Sequence, residues 1–227
     1  MSYTLVIGTR NWSSWSLRPY IALRATGQNF ETVLVPLRVT QSPTSREQIL
    51  AHSPAGKVPV LKIEEGGKTI TVWDSLAIIE TLAERHPEAG LLPADDEARA
   101  VARSYAAEMH SGFPDLREQL SMEFARRLDL PELREATRQQ IARILEAWSW
   151  ALARYGAEGG FLFGRLSIAD CMYAPVVSRF DTYGVAVPPR IAAYMERMLG
   201  LDAMVDWRKG AEAEVLAGLG LMKELPA

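Results

Sequence analysis

The sequence predicts an α+β chain in two parts, a small mixed sheet with its helices first and an all-helical part after it. Three observations carry the prediction. Up to about residue 86, short strand-like runs alternate with helical patterns in the order βαβαββα. From Asp95 onward no strand pattern recurs, and apolar residues fall at three- and four-residue spacing. Between the two lies HPEAGLLPADDEAR, a linker punctuated by Pro87, Gly90 and Pro93. The expected domains are 1–86 and 94–227.

The first strand is Tyr3–Gly8, followed by a helix from about Ser16 to Thr26 that Gly27 stops. Phe30–Leu37 alternates apolar with polar residues before turning continuously apolar, and is read as the second strand. The polar stretch RVTQSPTS then leads into a short helix, REQILAHS. VPVLKIE and KTITVW are two strands whose junction, Glu65-Gly66-Gly67, has the composition of a hairpin. Asp74–His86 closes this part as a helix. A βαβ crossover requires parallel pairing, so the sheet is expected to be mixed. In the second part Asp95–Arg127 and Pro131–Tyr155 read as long amphipathic helices. Ser167–Tyr183, Pro189–Leu199 and Leu201–Trp207 read as shorter ones.

The bulk numbers narrow the function classes. Hydrophobic residues are 48 % and charged residues 23 % of 227, an ordinary globular balance. A net charge of −3 with both signs interspersed gives no basic stripe for nucleic acid. No run approaches the apolar length of a membrane span, and MSYTLVIGTRN has too short an apolar stretch for a signal peptide. A lone cysteine, Cys171, provides neither a disulfide nor a CxxC pair, which fits a cytoplasmic location; no metal site is expected.

Three local features carry chemistry. In NWSSWSLRP (Asn11–Pro19), Ser13 and Ser14 stand just ahead of a helix whose free amides and dipole favour an anion. A hydroxyl there can cap the helix or donate to a thiolate. A free thiol with a pKa near 8.5 is only about 3 % ionised at pH 7. Lowering that pKa by about two units takes ~2.7 kcal/mol. One charge-assisted hydrogen bond and the helix dipole supply that much. In GKVPVL (Gly56–Leu61), Pro59 opens an apolar strand, as an edge residue or in a cis turn. The cis form turns the Val58 backbone away from the sheet and frees it to pair with a peptide. In WDSLAIIETL, Asp74 and Ser75 open a helix, either as its cap or as a seat for an α-amino acid group.

The order and spacing of these features resemble the cytosolic glutathione S-transferases, serine-type members of the zeta and tau kind, over nearly the whole chain. The resemblance implies a thioredoxin-like, glutathione-binding first domain and an all-helical second domain that contributes an electrophile pocket. S-S-W-S-L-R places Ser13 as the thiol-activating serine, with Ser14 as the fallback. It implies that Val58 pairs with the cysteinyl backbone of glutathione, that Pro59 is the cis-proline, and that Asp74 and Ser75 hold the γ-glutamyl end. Lys57 becomes a ligand for the glycyl carboxylate, or stays a solvated turn lysine. GRLSIADCMYAP (Gly164–Pro175) resembles the family's folding motif, a capping box of Ser167 and Asp170.

From this resemblance follow glutathione as cosubstrate, a small hydrophobic electrophile, a role in detoxification and a homodimer. Trp12, Trp15, Met109, His110, Phe113 and Leu116 are the expected electrophile wall, with Phe113-Pro114 interrupting the long helix. His110 is a proton carrier or a hydrogen-bonded bystander; Trp12 and Trp15 line the pocket or pack between domains. Trp15 stands where zeta-class motifs carry cysteine, which argues against cysteine-dependent thiol transfer. Cys171, inside the capped helix, reads as a buried structural residue. The alternatives are a maleylacetoacetate-isomerase-like enzyme and a non-catalytic glutathione- or ligand-binding protein. The isomerase reading is weakened because Thr182 occupies the place of that group's arginine, with Arg179 about one turn earlier.

Overall fold

In the computed structural model, which describes residues 1–156 and 159–220, the first part of the chain forms a four-stranded sheet. The strands are β1 (Ser2–Gly8), β2 (Phe30–Val35), β3 (Val60–Glu65) and β4 (Lys68–Trp73), in the order β2-β1-β3-β4. β1 runs parallel to β2, with Tyr3 opposite Phe30, and antiparallel to β3, with Leu5 opposite Leu61. β3 and β4 pair as the expected hairpin. β2 stops at Val35, two residues short of expectation, because Pro36 has no amide for the ladder.

Strand alternation divides the first part between two cores. Tyr3, Leu5 and Ile7 face α1 (Ser14–Ala25) and α3 (Ser75–Arg85) and merge with the main core of the molecule. Val6, Val35 and Val60 face the other way and pack on Ile49 of α2 (Ser45–Leu50). α1 shows little amphipathicity for a physical reason: it is covered on one side by the sheet and on the other by the second part of the chain.

The second part is helical: α4 (Asp96–Ser111), α5 (Pro114–Gln119), α6 (Glu135–Tyr155), α7 (Ile168–Tyr183), α8 (Pro189–Leu199) and α9 (Asp202–Leu216). α7 is its axis, buried at every position but Asp181 and packed against α1 and α4. The capping motif closes at its start. The Ser167 amide and hydroxyl both donate to Asp170 Oδ2 at 2.8 Å, and the Leu162 amide donates to Oδ1 at 3.1 Å. Cys171 is fully buried, and burial pushes its thiol pKa well up.

Two helical expectations are corrected. The pattern over Asp95–Arg127 is interrupted at Phe113-Pro114 as expected, with Phe113 left-handed (φ 62°), but helix ends at Gln119 instead of continuing to Arg127. Beyond it the backbone bonds elsewhere: the amides of Phe124 and Ala125 donate to Asn11, and that of Leu128 to the Thr182 carbonyl. The last helix runs to Leu216, well past Trp207, because Trp207 is a buried anchor within it. The final residues of the expected second domain, 221–227, lie outside the described residues.

Candidate glutathione site

A cavity of about 300 Å³ opens where α1, the β4–α3 corner, the loop before β3 and α4 meet. Trp15, Ala55, Lys57, Val58, Pro59, Trp73, Asp74, Ser75 and His110 line it. The β4–α3 corner shapes one end. Asp74 takes a positive φ of 73°, rare for a side chain with a Cβ, and its Oδ1 accepts from the Leu76 amide at 2.9 Å. That cap leaves Oδ2 facing His110 Nε2 at 3.5 Å. Ser75 follows, 1 % exposed, and its hydroxyl meets no partner among the described residues. A buried hydroxyl without a partner costs free energy, and this one borders a cavity at a helix N-terminus.

The opposite wall is the loop ahead of β3. The Val58-Pro59 peptide is cis, and the strand ladder begins only at Val60, so Val58 stands outside the sheet's pairing. Lys57 precedes it on the same wall.

Trp15 forms the floor and has cationic neighbours. The guanidinium carbon of Arg18 lies 4.1 Å from its ring centroid and that of Arg117 4.7 Å, while His110 meets the ring edge-on at 5.4 Å. Arg18 is fully buried. Its Nε donates to the Met172 carbonyl at 3.0 Å, and its terminal nitrogens have no partner among the described residues. Burial, with Arg117 and Arg179 nearby, pulls its pKa well down; Asp74 opposes. Burial likewise lowers Arg117, and brings Arg179 down to about 10. Among the described residues there is no cluster of His, Cys, Asp and Glu that would hold a metal ion.

The structure thus brings together Trp15, Lys57, Val58, Pro59, Asp74, Ser75 and His110 of the residues expected from sequence. Ser13 and Ser14 are buried beside this cavity's floor residue rather than among its lining. Ser13 caps α1, and its hydroxyl donates to Ser16 Oγ at 2.7 Å. Trp12 points to the second part of the chain, donating to Glu123. Met109, Phe113 and Leu116 belong to the hydrophobic core, so of the wall expected from α4 and α5 only His110 lines the cavity. Ala55 and Trp73 join the lining without having been expected. For Trp73 a signal existed, an aromatic side chain directly before the Asp–Ser pair, now 45 % exposed at the end of β4.

Comparison with known proteins identifies the family. The glutathione S-transferase N-terminal domain model matches residues 12–85, and the C-terminal domain model matches 131–197. Maleylacetoacetate isomerase of Pseudomonas aeruginosa is 31 % identical, over 80 % of this chain and 84 % of its own. That of Rhizobium meliloti is 32 % identical, over 84 % and 89 %. A Burkholderia glutathione transferase homologue with bound glutathione superposes with a TM-score of 0.68 at 25 % identity, covering 94 % of this chain and 99 % of its own. Maleylacetoacetate isomerase from Anaeromyxobacter dehalogenans, also with glutathione in its active site, gives 0.65 at 28 %, over 92 % and 97 %. With both domain models matched and these relatives aligned over most of their length, the chain belongs to the glutathione S-transferase family.

Proposed function

We propose that this enzyme binds glutathione in the cavity between the cis Val58-Pro59 loop and the α3 N-terminus and directs its thiolate at a small hydrophobic electrophile. The observation that carries the reading is Ser75. Its buried hydroxyl, without a partner among the described residues, lies at a positive helix end beside an Asp74 carboxylate whose second oxygen faces His110 Nε2 at 3.5 Å. A γ-glutamyl group supplies a carboxylate to accept from Ser75 and an ammonium to donate to Asp74. Val58, outside the sheet's pairing, offers its backbone to the cysteinyl unit and Lys57 its charge to the glycyl carboxylate.

Thiol activation falls to Ser13, with Ser14 as the fallback. Ser13, two residues before Trp15 of the cavity floor, exchanges its present acceptor, Ser16, for the sulfur. The guanidinium groups of Arg18 and Arg117 over Trp15, neither in an ion pair among the described residues, favour the anion further. Catalysis is then thiolate formation and proximity, with the electrophile held near Trp15 and His110. The boundaries 1–86 and 94–227 and the cytoplasmic location belong to the same proposal, as do the homodimer and the role in detoxification, which rest on the family alone.

The test is the ultraviolet thiolate absorbance of glutathione bound to the protein, titrated with pH in the native chain and in Ser13→Ala. Absorbance well below pH 8.5 that moves upward in the variant supports the reading. Glutathione bound only as thiol sinks it.

Glutathione-dependent isomerisation is the second reading, favoured by the two isomerases at 31 % and 32 % identity. Against it, Thr182 is buried and donates to the Glu123 carbonyl, while the Arg179 guanidinium is buried on the carbonyls of Leu120 and Pro175. Turnover of a cis-dienoic diketo acid by the purified protein decides between them.

A further inference from the structure

The stretch after α5 carries a buried carboxylate that the reading above leaves unused. Glu123 is 3 % exposed. Its Oε2 accepts from Asn11 Nδ2 at 2.7 Å and its Oε1 from Trp12 Nε1 at 3.1 Å. Asn11 and Trp12 are the two residues that lead directly into Ser13.

Both ends of this contact are fixed. Asn11 is fully buried. Its Nδ2 donates a second bond to the Gly220 carbonyl, its Oδ1 accepts from the Ala125 amide, and its own carbonyl accepts from the Phe124 amide. Glu123 is held from the other side, its carbonyl accepting from the Thr182 hydroxyl on α7 at 3.2 Å. Arg38 lies over the Trp12 ring at 4.3 Å. The loop that presents Ser13 is therefore tied to the helical domain as well as to its own sheet.

We infer that Glu123 is a positioning residue for Ser13, its two carboxylate oxygens fixing Asn11 and Trp12 so that the start of α1 presents its hydroxyl to the glutathione sulfur. A buried carboxylate is costly, and an apolar side chain of similar volume fills such a space at less expense. Burial raises the Glu123 pKa, while the bonds from Asn11 and Trp12 and the charges of Arg126 and Arg38 oppose the rise. Two oxygens engaged by two consecutive residues set an orientation as well as a distance. A misplacement of about 1 Å near a reacting group costs up to about a hundredfold in rate. The inference rests on the proposed thiol chemistry and names the residue that sets its geometry.

The experiment is a double-mutant cycle between Glu123→Ala and Ser13→Ala. It is read by conjugation of glutathione to a chlorodinitrobenzene, by the thiolate titration of bound glutathione, and by thermal melting. Glu123→Ala should lower kcat by about tenfold or more with the glutathione KM within about twofold, and should raise the thiolate midpoint. Added to Ser13→Ala it should cost little more, because the two act through one hydroxyl. Glu123→Gln, which keeps one acceptor oxygen, should recover part of the loss. Should Glu123→Ala not fold, Trp12→Phe deletes one of the two donors and should move the midpoint in the same direction by less. An unchanged midpoint and kcat in a folded variant, or losses that multiply with Ser13→Ala, would overturn the inference. A native protein that binds glutathione without forming thiolate overturns the proposed function instead, so the two failures are distinguishable.

Discussion

Arg18 lies over Trp15 with its guanidinium carbon 4.1 Å from the ring centroid, and no acceptor among the described residues meets its terminal nitrogens. The contact places a guanidinium with no ion pair among the described residues, opposed only through space by Asp74, against the cavity floor. Cation–π attraction offsets only about 2 kcal/mol of desolvation, against several kcal/mol for burying the ion.

Arg18→Met therefore separates stability from function. The variant loses one hydrogen bond to the Met172 carbonyl, about 1 kcal/mol, and sheds the cost of the buried charge. Melting should show a protein as stable as the native one, or more stable by about 1–2 kcal/mol. The same variant should hold glutathione more weakly and need a higher pH to ionise it. A loss of stability beyond about 2 kcal/mol would make Arg18 a structural residue instead.

The parts of this architecture that were legible in the sequence are those whose signals are local. Strand alternation in Phe30–Val35, the Gly66-Gly67 hairpin, and the caps at Asp74 and Ser167 each depend on residues a few positions apart, and each formed. The seven site residues that met in the cavity came from local motifs combined with a family resemblance, since no spacing rule joins Lys57 to His110. What was not legible depends on distant partners. Residues 120–127 keep an amphipathic spacing, yet Asn11 takes the amides of Phe124 and Ala125, and Thr182 that of Leu128 just beyond, so the helix does not continue. Met109 and His110 are neighbours on one helix, and the periodicity that marks an apolar face does not say whether that face meets a core or a cavity. Nothing local in the sequence marks Glu123, because its partners lie 111 and 112 residues away.

Ser75→Ala gives a test with opposite signs in the free and bound protein. Without ligand, the hydroxyl is buried and has no partner among the described residues, so deleting it should leave the melting temperature unchanged or slightly higher. With glutathione, the variant loses a hydrogen bond to a charged group, about 1.5–3 kcal/mol, or roughly ten- to a hundredfold in affinity. Calorimetric titration beside thermal melting reads both. Equal affinity in the two proteins would place the γ-glutamyl carboxylate elsewhere.

Asp170 sets a pH dependence of stability whose sign follows from its burial. Desolvation outweighs the donors from Leu162 and Ser167 and raises its pKa to about 6, against about 3.9 in an unfolded chain. The folded protein thus holds this proton more tightly than the unfolded one. The stabilisation is fully present below about pH 4 and is lost as pH rises through about 6. A shift of about two units corresponds to roughly 3 kcal/mol. Asp170→Asn has no proton to lose and should be free of this decline, though it is less stable at low pH because its amide offers one acceptor oxygen where the native site engages two. Urea unfolding of both proteins from pH 4 to pH 7.5 should show the native advantage shrinking across that window and constant above it. An advantage that stays flat, or grows with pH, would mean that the hydrogen bonds into the carboxylate prevail over desolvation and that Asp170 is ionised in the fold throughout.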